Sequence, residues 1–507
     1  MGKKICIVTS DIKQSKKNSE FSNHVYSLCK ELAKANYDMT ILYIGNQNKM
    51  KNIYQSKYHK VPNIKFVYLD ELEQPNYYLY KEWFIVRANI IYKYLKKKSF
   101  DYIHFKDLQA NALHTIQAKR NSKEFENTFI TVTMHSPTQW LNEGMVKRNE
   151  WDFSNSMLEW CERYCCENCD LLISPSDYMF NWAIKRGWHL SKNRMVIPYC
   201  IESEKGTRGK WLKLHDQNIK YSDIKVINKI ENEEIQVSIC IAYYNYGKYL
   251  PQLLKSISKS KYKNYQVIVV NDGSTEEESN RVFGEMKKVY NKCNWHFIEK
   301  ENGGTGEARN FGAKYSSGEY IIFMDADNIA TPNMIKDFLY GICKSKADCL
   351  TCHLNAFMGD ETVHGGTKIA YKYMPIGPAL EVGFIQNIFG DANFIVKRDV
   401  FFHIGGFIED RNATWEDWVF LVRLNLLGYK QEVLPEPLFW YRHHNESFSR
   451  NSNYFKNLDN VIKEYRNNNS FFVGNLITSL AIPFSNKYNE ILNDNHLKRN
   501  RIKKLMK

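Results

Sequence analysis

The chain has 507 residues, which predicts two domains or more, and its hydrophobic content of 43% is ample for packed cores. The net charge is +14, but no nucleic-acid-binding motif accompanies it, so a nucleic-acid partner is not expected. No stretch is apolar and long enough to span a membrane and no secretory signal opens the chain, so we expect a cytoplasmic protein.

The first 200 residues alternate short apolar runs with amphipathic segments. The predicted strands are 5–9, 39–44, 101–105, 129–133 and 171–174, and the predicted helices are 22–35 and 156–168. Such alternation predicts a doubly wound parallel sheet, which we assign to a first domain at 1–200. Residues 201–234 are charged and lack a clear apolar period, which predicts a linker.

Two Cys-x-x-Cys pairs raise the question of a zinc site. They are Cys166 with Cys169, on a predicted helix, and Cys349 with Cys352, in a strand-like stretch. An odd spacing in a strand sends the two side chains to opposite faces, so buried free thiols are the favoured interpretation over zinc half-sites.

A second alternation begins at Val237 and predicts a domain at 235–450. The predicted strands are 237–242, 265–270, 295–298 and 320–324, and the predicted helices are 249–258, 277–290 and 307–315. Residues 451–507 are expected to form a helical basic tail. Its last dozen residues interleave lysine and arginine with apolar residues, which fits either a peripheral contact with an anionic inner membrane face or a solvated tail.

Polar segments follow four of these strands. They are 243–245, 271–274, 302–310 and 325–327, the last with Asp325 and Asp327 after the apolar run 321–324. Strand ends on one edge of a parallel sheet converge on one crevice, where ligands bind. Carboxylates there suit a hard divalent cation, and such a cation usually arrives with phosphates. The set therefore predicts a site for a nucleotide diphosphate.

In this order the segments resemble the inverting family 2 glycosyltransferases of the GT-A fold, over about residues 237–450. Later motifs add to the resemblance: 404–407 (Ile-Gly-Gly-Phe), 415–418 (Trp-Glu-Asp-Trp) and 441–444 (Tyr-Arg-His-His). The resemblance implies a GT-A domain with a sugar-nucleotide donor, above all a UDP-sugar.

Donor-binding roles follow from the resemblance. They fall to Tyr243, Asn245, Asp272, Gly303, Arg309 and Asp325. Asp272 resembles the aspartate that accepts a hydrogen bond from the uracil imide, and an Asx turn is its structural alternative. Tyr243 or Tyr244 would stack on the base. Arg309 resembles a cation near the diphosphate, with a salt-bridged helix residue as the alternative.

Metal-binding and catalytic roles follow in the same way. Asp325, Asp327 and His444 resemble ligands of Mn²⁺ or Mg²⁺, although an exposed loop histidine is an alternative for His444. Asp417 resembles the catalytic base, and Glu416 beside it would bind acceptor hydroxyls. Stabilisation of a helix N-terminus is the alternative role for this acidic pair.

The amino-terminal half, residues 3–200, resembles the first Rossmann-like domain of family 4 glycosyltransferases of the GT-B fold. Its loop at 11–20 has no glycine, and the second Rossmann domain that holds the donor in that fold does not follow. We therefore expect an acceptor-binding, partner-binding or structural role for this half. The expected fold class is α/β, with a half GT-B domain, a GT-A domain and a short helical tail.

The resemblance implies an enzyme: a metal-dependent, inverting hexosyltransferase. It would move a sugar from a nucleotide donor to a glycan or lipid-linked acceptor in polysaccharide or glycoconjugate synthesis. A bifunctional transferase with a second active site in the amino-terminal half is one alternative, and a non-catalytic sugar-binding or scaffold protein is another. A nucleotidyltransferase would also use a Gly-rich loop and aspartate pairs, but it would not need the Trp-Glu-Asp-Trp motif with a histidine after it.

Overall fold

The computed structural model describes residues 2–11, 20–45, 58, 61–73, 82–145, 153–199, 210, 224–411, 414–444 and 454–468. The predicted loop at 11–20, apart from its two ends, and the basic residues near the carboxyl terminus lie outside the described residues. Within the described part of the chain, no helix has the length and apolar character needed to cross a membrane.

The amino-terminal domain is built on a seven-stranded sheet in the order β3-β2-β1-β4-β5-β6-β7, with parallel neighbours throughout. Its strands are β1 (Lys4–Thr9), β2 (Asp38–Tyr43), β3 (Ile64–Tyr68), β4 (Tyr102–Lys106), β5 (Phe129–Thr133), β6 (Leu171–Ser174) and β7 (Arg194–Val196). Its helices are α1 (Glu20–Lys34), α2 (Trp83–Lys96), α3 (Leu113–Asn121), α4 (Thr138–Gly144), α5 (Phe153–Asn168) and α6 (Asp177–Lys185), with 3₁₀ turns at Leu69–Glu71 and Leu108–Ala110. β4, β5 and β6 are almost fully buried because helices cover a parallel sheet on both faces.

The carboxyl-terminal domain is built on a nine-stranded sheet in the order β10-β9-β8-β11-β15-β13-β16-β12, with β14 paired to β13. Its strands are β8 (Val237–Tyr243), β9 (Tyr265–Asp272), β10 (Trp295–Lys300), β11 (Tyr320–Asp325), β12 (Ile329–Ala330), β13 (Cys349–Met358), β14 (Tyr371–Tyr373), β15 (Ile395–Lys397) and β16 (Gln431–His443). The helices that precede or cover it are α7 (Ile224–Glu231), α8 (Leu250–Ser258), α9 (Glu277–Val289), α10 (Thr305–Lys314), α11 (Met334–Ser345), α12 (Arg398–His403), α13 (Glu416–Leu426) and α14 (Tyr454–Asn468).

The sheet of the carboxyl-terminal domain changes direction beside β11. β8 to β11 are parallel, whereas β15 runs antiparallel to both β11 and β13. The parallel part matches the predicted alternation, and the expected α/β fold class is confirmed. The antiparallel part was not predicted, because β15 has three residues and carries no periodic signal of its own.

Two glycines explain how closely α10 packs on this sheet and on the segment after α12. A Cβ atom on Gly306 would lie 2.2 Å from the carbonyl oxygen of Ile408, and one on Gly312 would lie 3.0 Å from Val270. The first of these contacts involves backbone that cannot move away. Glycine at the start of α10 thus lets the segment after α12 pass directly over it.

One helix precedes the sheet of the carboxyl-terminal domain and another follows it. The helix α7 lies within the predicted linker, and α14 lies within the predicted tail. α14 packs on α13, where Arg423 forms an ion pair with Glu464 at 2.7 Å. The Tyr465 hydroxyl of α14 also donates to the Leu380 carbonyl, between β14 and β15, at 3.1 Å. The cysteines of both Cys-x-x-Cys pairs are buried thiols in the core.

The two domains meet across buried polar contacts. Glu432 on β16 accepts hydrogen bonds from Arg120 on α3 at 2.5 Å and from the Tyr164 hydroxyl on α5 at 2.9 Å. Asn121 donates to the Val433 carbonyl at 2.9 Å. Burial is the largest single effect and would raise the pKa of Glu432. The charge and hydrogen bond of Arg120, the charge of Lys430 and the hydrogen bond from Tyr164 together outweigh it and lower that pKa.

Replacing Glu432 with glutamine should destabilise the whole chain. Hydrogen bonds to a charged group are worth roughly 1.5–3 kcal/mol, and glutamine offers Arg120 and Tyr164 a neutral acceptor instead. Because the folded-state pKa of Glu432 is depressed, its contribution is present above the unfolded-state pKa and is lost as pH falls through the folded-state value. Chemical denaturation should therefore show a deficit at pH 7 that persists down to about pH 4.5, the ordinary pKa of a glutamate, and narrows only below it. Glu278→Gln, at an exposed ion pair on α9, is the control and should show no such deficit; an unchanged Glu432→Gln variant would contradict the account.

Candidate active site

A cavity of about 550 Å³ opens at the carboxyl ends of β8, β9 and β11. This volume lies in the range of about 300–1,000 Å³ that is usual for small-molecule sites. The residues that line it, apart from those treated below, are largely apolar or aromatic: Ala242, Tyr246, Ala308, Leu354, Tyr371, Tyr373, Trp415, Trp418 and Tyr441. The cavity therefore has an apolar body with polar groups at a few defined points.

Asp272 lies at the end of β9 and at the edge of this cavity, nearly fully buried. Its Oδ1 accepts from the backbone amide of Gly303 at 2.9 Å and from Lys300 at 2.8 Å, and its Oδ2 accepts from the amide of Gly304 at 2.9 Å. A carboxylate has about four lone-pair sites, so one remains on Oδ2. Asp272 thus fixes the Gly-rich loop and still has an acceptor site for a ligand donor.

The Gly-rich loop owes its path to Gly304. This residue has a φ of +96°, and an added Cβ would lie 2.8 Å from the Cα of Arg411. Gly303 contributes its amide to Asp272 but does not line the cavity. This hydrogen bond helps to fix the shape of the loop, and the predicted role of Gly303 in donor binding stays a prediction.

Tyr243, Tyr244 and Asn245, at the end of β8 and just after it, make different contacts. The Tyr243 hydroxyl donates to the Ser279 carbonyl at 2.7 Å, and its ring stacks on Phe283. Tyr244 is 40% exposed and lines the cavity, so it is the better placed of the two to stack on a ligand. Asn245 accepts from the amides of residues 275 and 276, which ties the β8 loop to the start of α9; it does not line the cavity.

Arg309 occupies the centre of the site. Only 3% of its side chain is exposed, and it forms ion pairs with Asp325 at the end of β11 and with Glu416 at the start of α13. Asp325 also accepts from the side-chain amide of Asn393 at 3.2 Å. Arg309 therefore joins the predicted metal motif to the predicted catalytic pair and lies at the cavity wall.

Asp327 and His444 are brought together although they are distant in sequence. The His444 Nε2 atom lies 3.0 Å from Asp327 Oδ2. Arg442 of β16, which is 1% exposed, holds the backbone at Asp327, since its Nε donates to the Asp327 carbonyl at 2.9 Å. The guanidinium lies between the rings of Tyr249 and Phe357, at 4.6 Å from each centroid.

Two carboxyl groups on the far wall of the cavity are harder to ionise than usual. Burial, reinforced by Glu416 and then by Asp391, raises the pKa of Asp417 well above its ordinary value. Burial and the neighbouring Asp325 raise the pKa of Asp391 to about 7. Asp417 also accepts from the amide of Trp418 at 2.7 Å, which fixes its orientation at the first turn of α13.

Negative charge exceeds positive charge around the cavity. Among the described residues, Arg309 is the one lining residue with a fixed positive charge, whereas six carboxyl groups line the cavity: Asp272, Asp325, Asp327, Asp391, Glu416 and Asp417. Among the described residues, no cluster of three or more His, Cys, Asp or Glu side chains has the geometry of a metal site. The side chains around the cavity nevertheless fit a hard divalent cation. Carboxylate oxygens together with one imidazole suit Mn²⁺, and carboxylate oxygens alone suit Mg²⁺.

Three residues of the site were not predicted from the sequence. Asp391 and Asn393 precede β15, and Asn393 donates hydrogen bonds to both Asp391 and Asp325. Lys300, at the end of β10, donates a hydrogen bond to Asp272. The Gly-Asp-Ala-Asn stretch at 390–393 has no strand-end signal that would have marked it. Lys300 was detectable in principle, since it lies two residues after the predicted strand 295–298, at the edge of the sheet where Asp272 was expected.

Comparison with known proteins assigns families to both domains. The model of Glycosyl transferase family 2 matches residues 238–405, and that of Glycosyltransferase Family 4 matches residues 21–205. The two matches agree with the arrangement that the motifs predicted, a half similar to family 4 followed by a half similar to family 2, and they support a transferase enzyme.

Individual relatives match parts of the chain. An uncharacterized glycosyltransferase of Rickettsia typhi is 37% identical over 211 residues, which cover 39% of this chain and 62% of that protein. Glycosyltransferase GlyA of Streptococcus pneumoniae serotype 4 is 31% identical over 128 residues, covering 25% of this chain and 18% of that protein. Among solved structures, S. aureus TarS 1–349 in complex with UDP-GlcNAc has 20% identity and a TM-score of 0.38, covering 46% of this chain and 68% of that one. The chain thus spans less than two thirds of the curated relatives described here.

Replacing Asp272 with asparagine should loosen the Gly-rich loop. Asparagine has one acceptor oxygen and would turn its amide group toward at least one of the three donors that Asp272 now satisfies, which costs about 1–3 kcal/mol. We expect lower stability in chemical denaturation and faster amide hydrogen exchange over residues 302–306. Asp399→Asn is the matched control, since that side chain on α12 is 99% exposed. Equal exchange in both variants would show that Asp272 does not hold the loop.

Proposed function

We propose that the chain is a metal-dependent, inverting glycosyltransferase that transfers a sugar from a UDP-sugar to a glycan or lipid-linked acceptor. The observation that carries the proposal is the meeting of three groups around one cavity: Asp272, the Asp327–His444 pair and Asp417. They come from β9, from the end of β11 with the end of β16, and from α13. The two family matches support the same class of enzyme.

The nucleotide would lie along the β8–β9 side of the cavity. Asp272 has an acceptor site left for the imide of a uracil, and Tyr244 offers an exposed ring at the same edge. The diphosphate would then extend toward Asp325 and Asp327. Arg309 would act here by holding Asp325 in place, because its guanidinium already pairs with that carboxylate.

Asp325, Asp327 and His444 are the residues that would hold Mn²⁺ or Mg²⁺. When bound, the cation would neutralise the charge that develops on the departing diphosphate. The excess of carboxylates around the cavity supports this, since a divalent cation offsets part of their negative charge and so reduces the repulsion of a diphosphate. The protein's own part is to hold Asp327 and His444 in place. Arg442 donates to the Asp327 carbonyl, and the rings of Tyr246 and Tyr249 contact His444.

Asp417 would act as the general base. Inversion is a single displacement, so one group must take the proton of the acceptor hydroxyl as that oxygen attacks the anomeric carbon. The raised pKa of Asp417 makes its carboxylate a stronger base than an ordinary aspartate. Glu416 is held by Arg309 and has one buried oxygen, Oε2, without a hydrogen-bond partner, which suits contact with an acceptor hydroxyl.

Removing the divalent cation should abolish turnover. EDTA should stop hydrolysis and transfer of UDP-sugars, and added Mn²⁺ or Mg²⁺ should restore both. Asp327→Ala should lose the metal-dependent part of UDP binding in calorimetry while circular dichroism stays unchanged, because that side chain contacts His444 at the cavity rather than the core. Full activity in EDTA would contradict the metal assignment.

Replacing Asp417 with asparagine should remove the base and keep its shape. Loss of general-base catalysis lowers rates by about 10²–10⁴-fold, so kcat for transfer should fall by that factor while UDP affinity changes little. The assay needs a donor and an acceptor found by screening UDP-sugars against mono- and disaccharides, with NMR of the product to read the anomeric configuration. Asp399→Asn is again the control. Near-normal turnover of Asp417→Asn would assign the base elsewhere, and a retained configuration would refute a single displacement.

A further inference from the structure

One wall of the cavity belongs to a long connection that we call the crossover segment, residues 374–394 between β14 and β15. Its second half lines the cavity with Gln386, Asn387, Gly390 and Asp391. This wall lies on the side of Asp417, and Asp391 raises the pKa of that residue. In the proposed reaction it therefore borders the acceptor.

The first half of the crossover segment rests on the amino-terminal domain. Gln117 on α3 donates to the Ile376 carbonyl at 2.8 Å in a buried hydrogen bond. Trp160 on α5 packs so closely on Gly377 that an added Cβ would lie 2.9 Å from its ring. Three residues further along α5, Arg163 forms a 2.6 Å ion pair with Glu381.

The two halves of the crossover segment are joined to each other. The amides of Ile376 and Gly377 both donate to the Ile388 carbonyl, at 3.0 and 3.3 Å. The Trp418 indole donates to the Gly383 carbonyl at 2.7 Å, which attaches the segment to α13 next to the proposed base. A shift of residues 376–381 would thus be transmitted both to the cavity wall and to the start of α13.

Apolar packing makes the connection stiff. Trp160 and other buried side chains of α5 share one continuous core with Val382, Phe384 and Phe389 of the crossover segment. Packed interiors transmit displacement because they contain few voids into which side chains can relax. The amino-terminal domain is accordingly a rigid support under one wall of the cavity.

We propose that the amino-terminal domain positions the acceptor side of the active site, with Gln117, Trp160 and Arg163 as positioning residues for the transfer reaction. The donor side depends on it less, since Asp272 is held by the amides of Gly303 and Gly304, and Arg309 is held by Asp325 and Glu416. The crossover segment reaches the donor side through the hydrogen bond from Asn393 to Asp325. This gives the family 4 domain a task that needs no sugar-nucleotide site of its own. The proposal rests on the proposed function.

Full-length Gln117→Leu and Arg163→Glu variants test it. Losing one buried hydrogen bond should speed amide exchange over residues 374–394 about fivefold, and a misplaced wall should lower kcat/KM for the acceptor by roughly 10–100-fold. UDP affinity and the rate of UDP-sugar hydrolysis by water should stay near wild type. Arg163→Glu should be rescued by Glu381→Arg, because the reversed pair restores the attraction.

The control is Arg186→Glu, which breaks an ion pair of similar exposure within the amino-terminal domain, away from the crossover segment. It should change neither the exchange of residues 374–394 nor acceptor kinetics. Unaltered exchange and unaltered acceptor kcat/KM in both Gln117→Leu and Arg163→Glu would overturn the positioning role, as would failure of the reversed pair to rescue. Absence of turnover of any UDP-sugar by the wild type would instead overturn the proposed function, since the exchange measurement is made without substrate.

Discussion

The buried guanidinium of Arg309 is the interaction on which the site depends. It lies between Asp325 and Glu416 with 3% of its side chain exposed, and so joins the end of β11 to the start of α13. A buried ion is costly unless it is paired, and removing either partner would leave a charge uncompensated. The pairing therefore fixes the distance between the donor half and the acceptor half of the cavity. It also accounts for the placement of Asp417, one residue after Glu416.

Much of this site could be predicted from the sequence, because its parts are local signals. The apolar run before Asp325 and Asp327 marks a buried strand with carboxylates at its end, and Asp272 follows another such strand. The parallel order of these strands then brings the residues to one edge. The link from Asp327 to His444 came from family resemblance, since no local period relates residues 117 positions apart.

The rest could not be predicted because it depends on long-range packing. β15 is too short to carry a pattern, so the antiparallel insertion and Asp391 before it were missed. Gln117 and Ile376 are 259 residues apart, and nothing in either neighbourhood marks the hydrogen bond between them. Asn245 shows a contact that its position after β8 did not indicate: its side chain accepts from the amides of residues 275 and 276, before α9, while its role in donor binding stays a prediction.

A crystal structure of the full chain with UDP and Mn²⁺ would test the central claim most directly. The account predicts an anomalous manganese peak bound by Asp325, Asp327 and His444. It also predicts that the uracil lies against Asp272 and that the nucleotide contacts Tyr244 at the same edge of the cavity. It also predicts that Arg309 keeps both of its carboxylate partners when the nucleotide is bound. Manganese at another site, or UDP bound to the amino-terminal domain with the β8–β9 edge empty, would contradict the account.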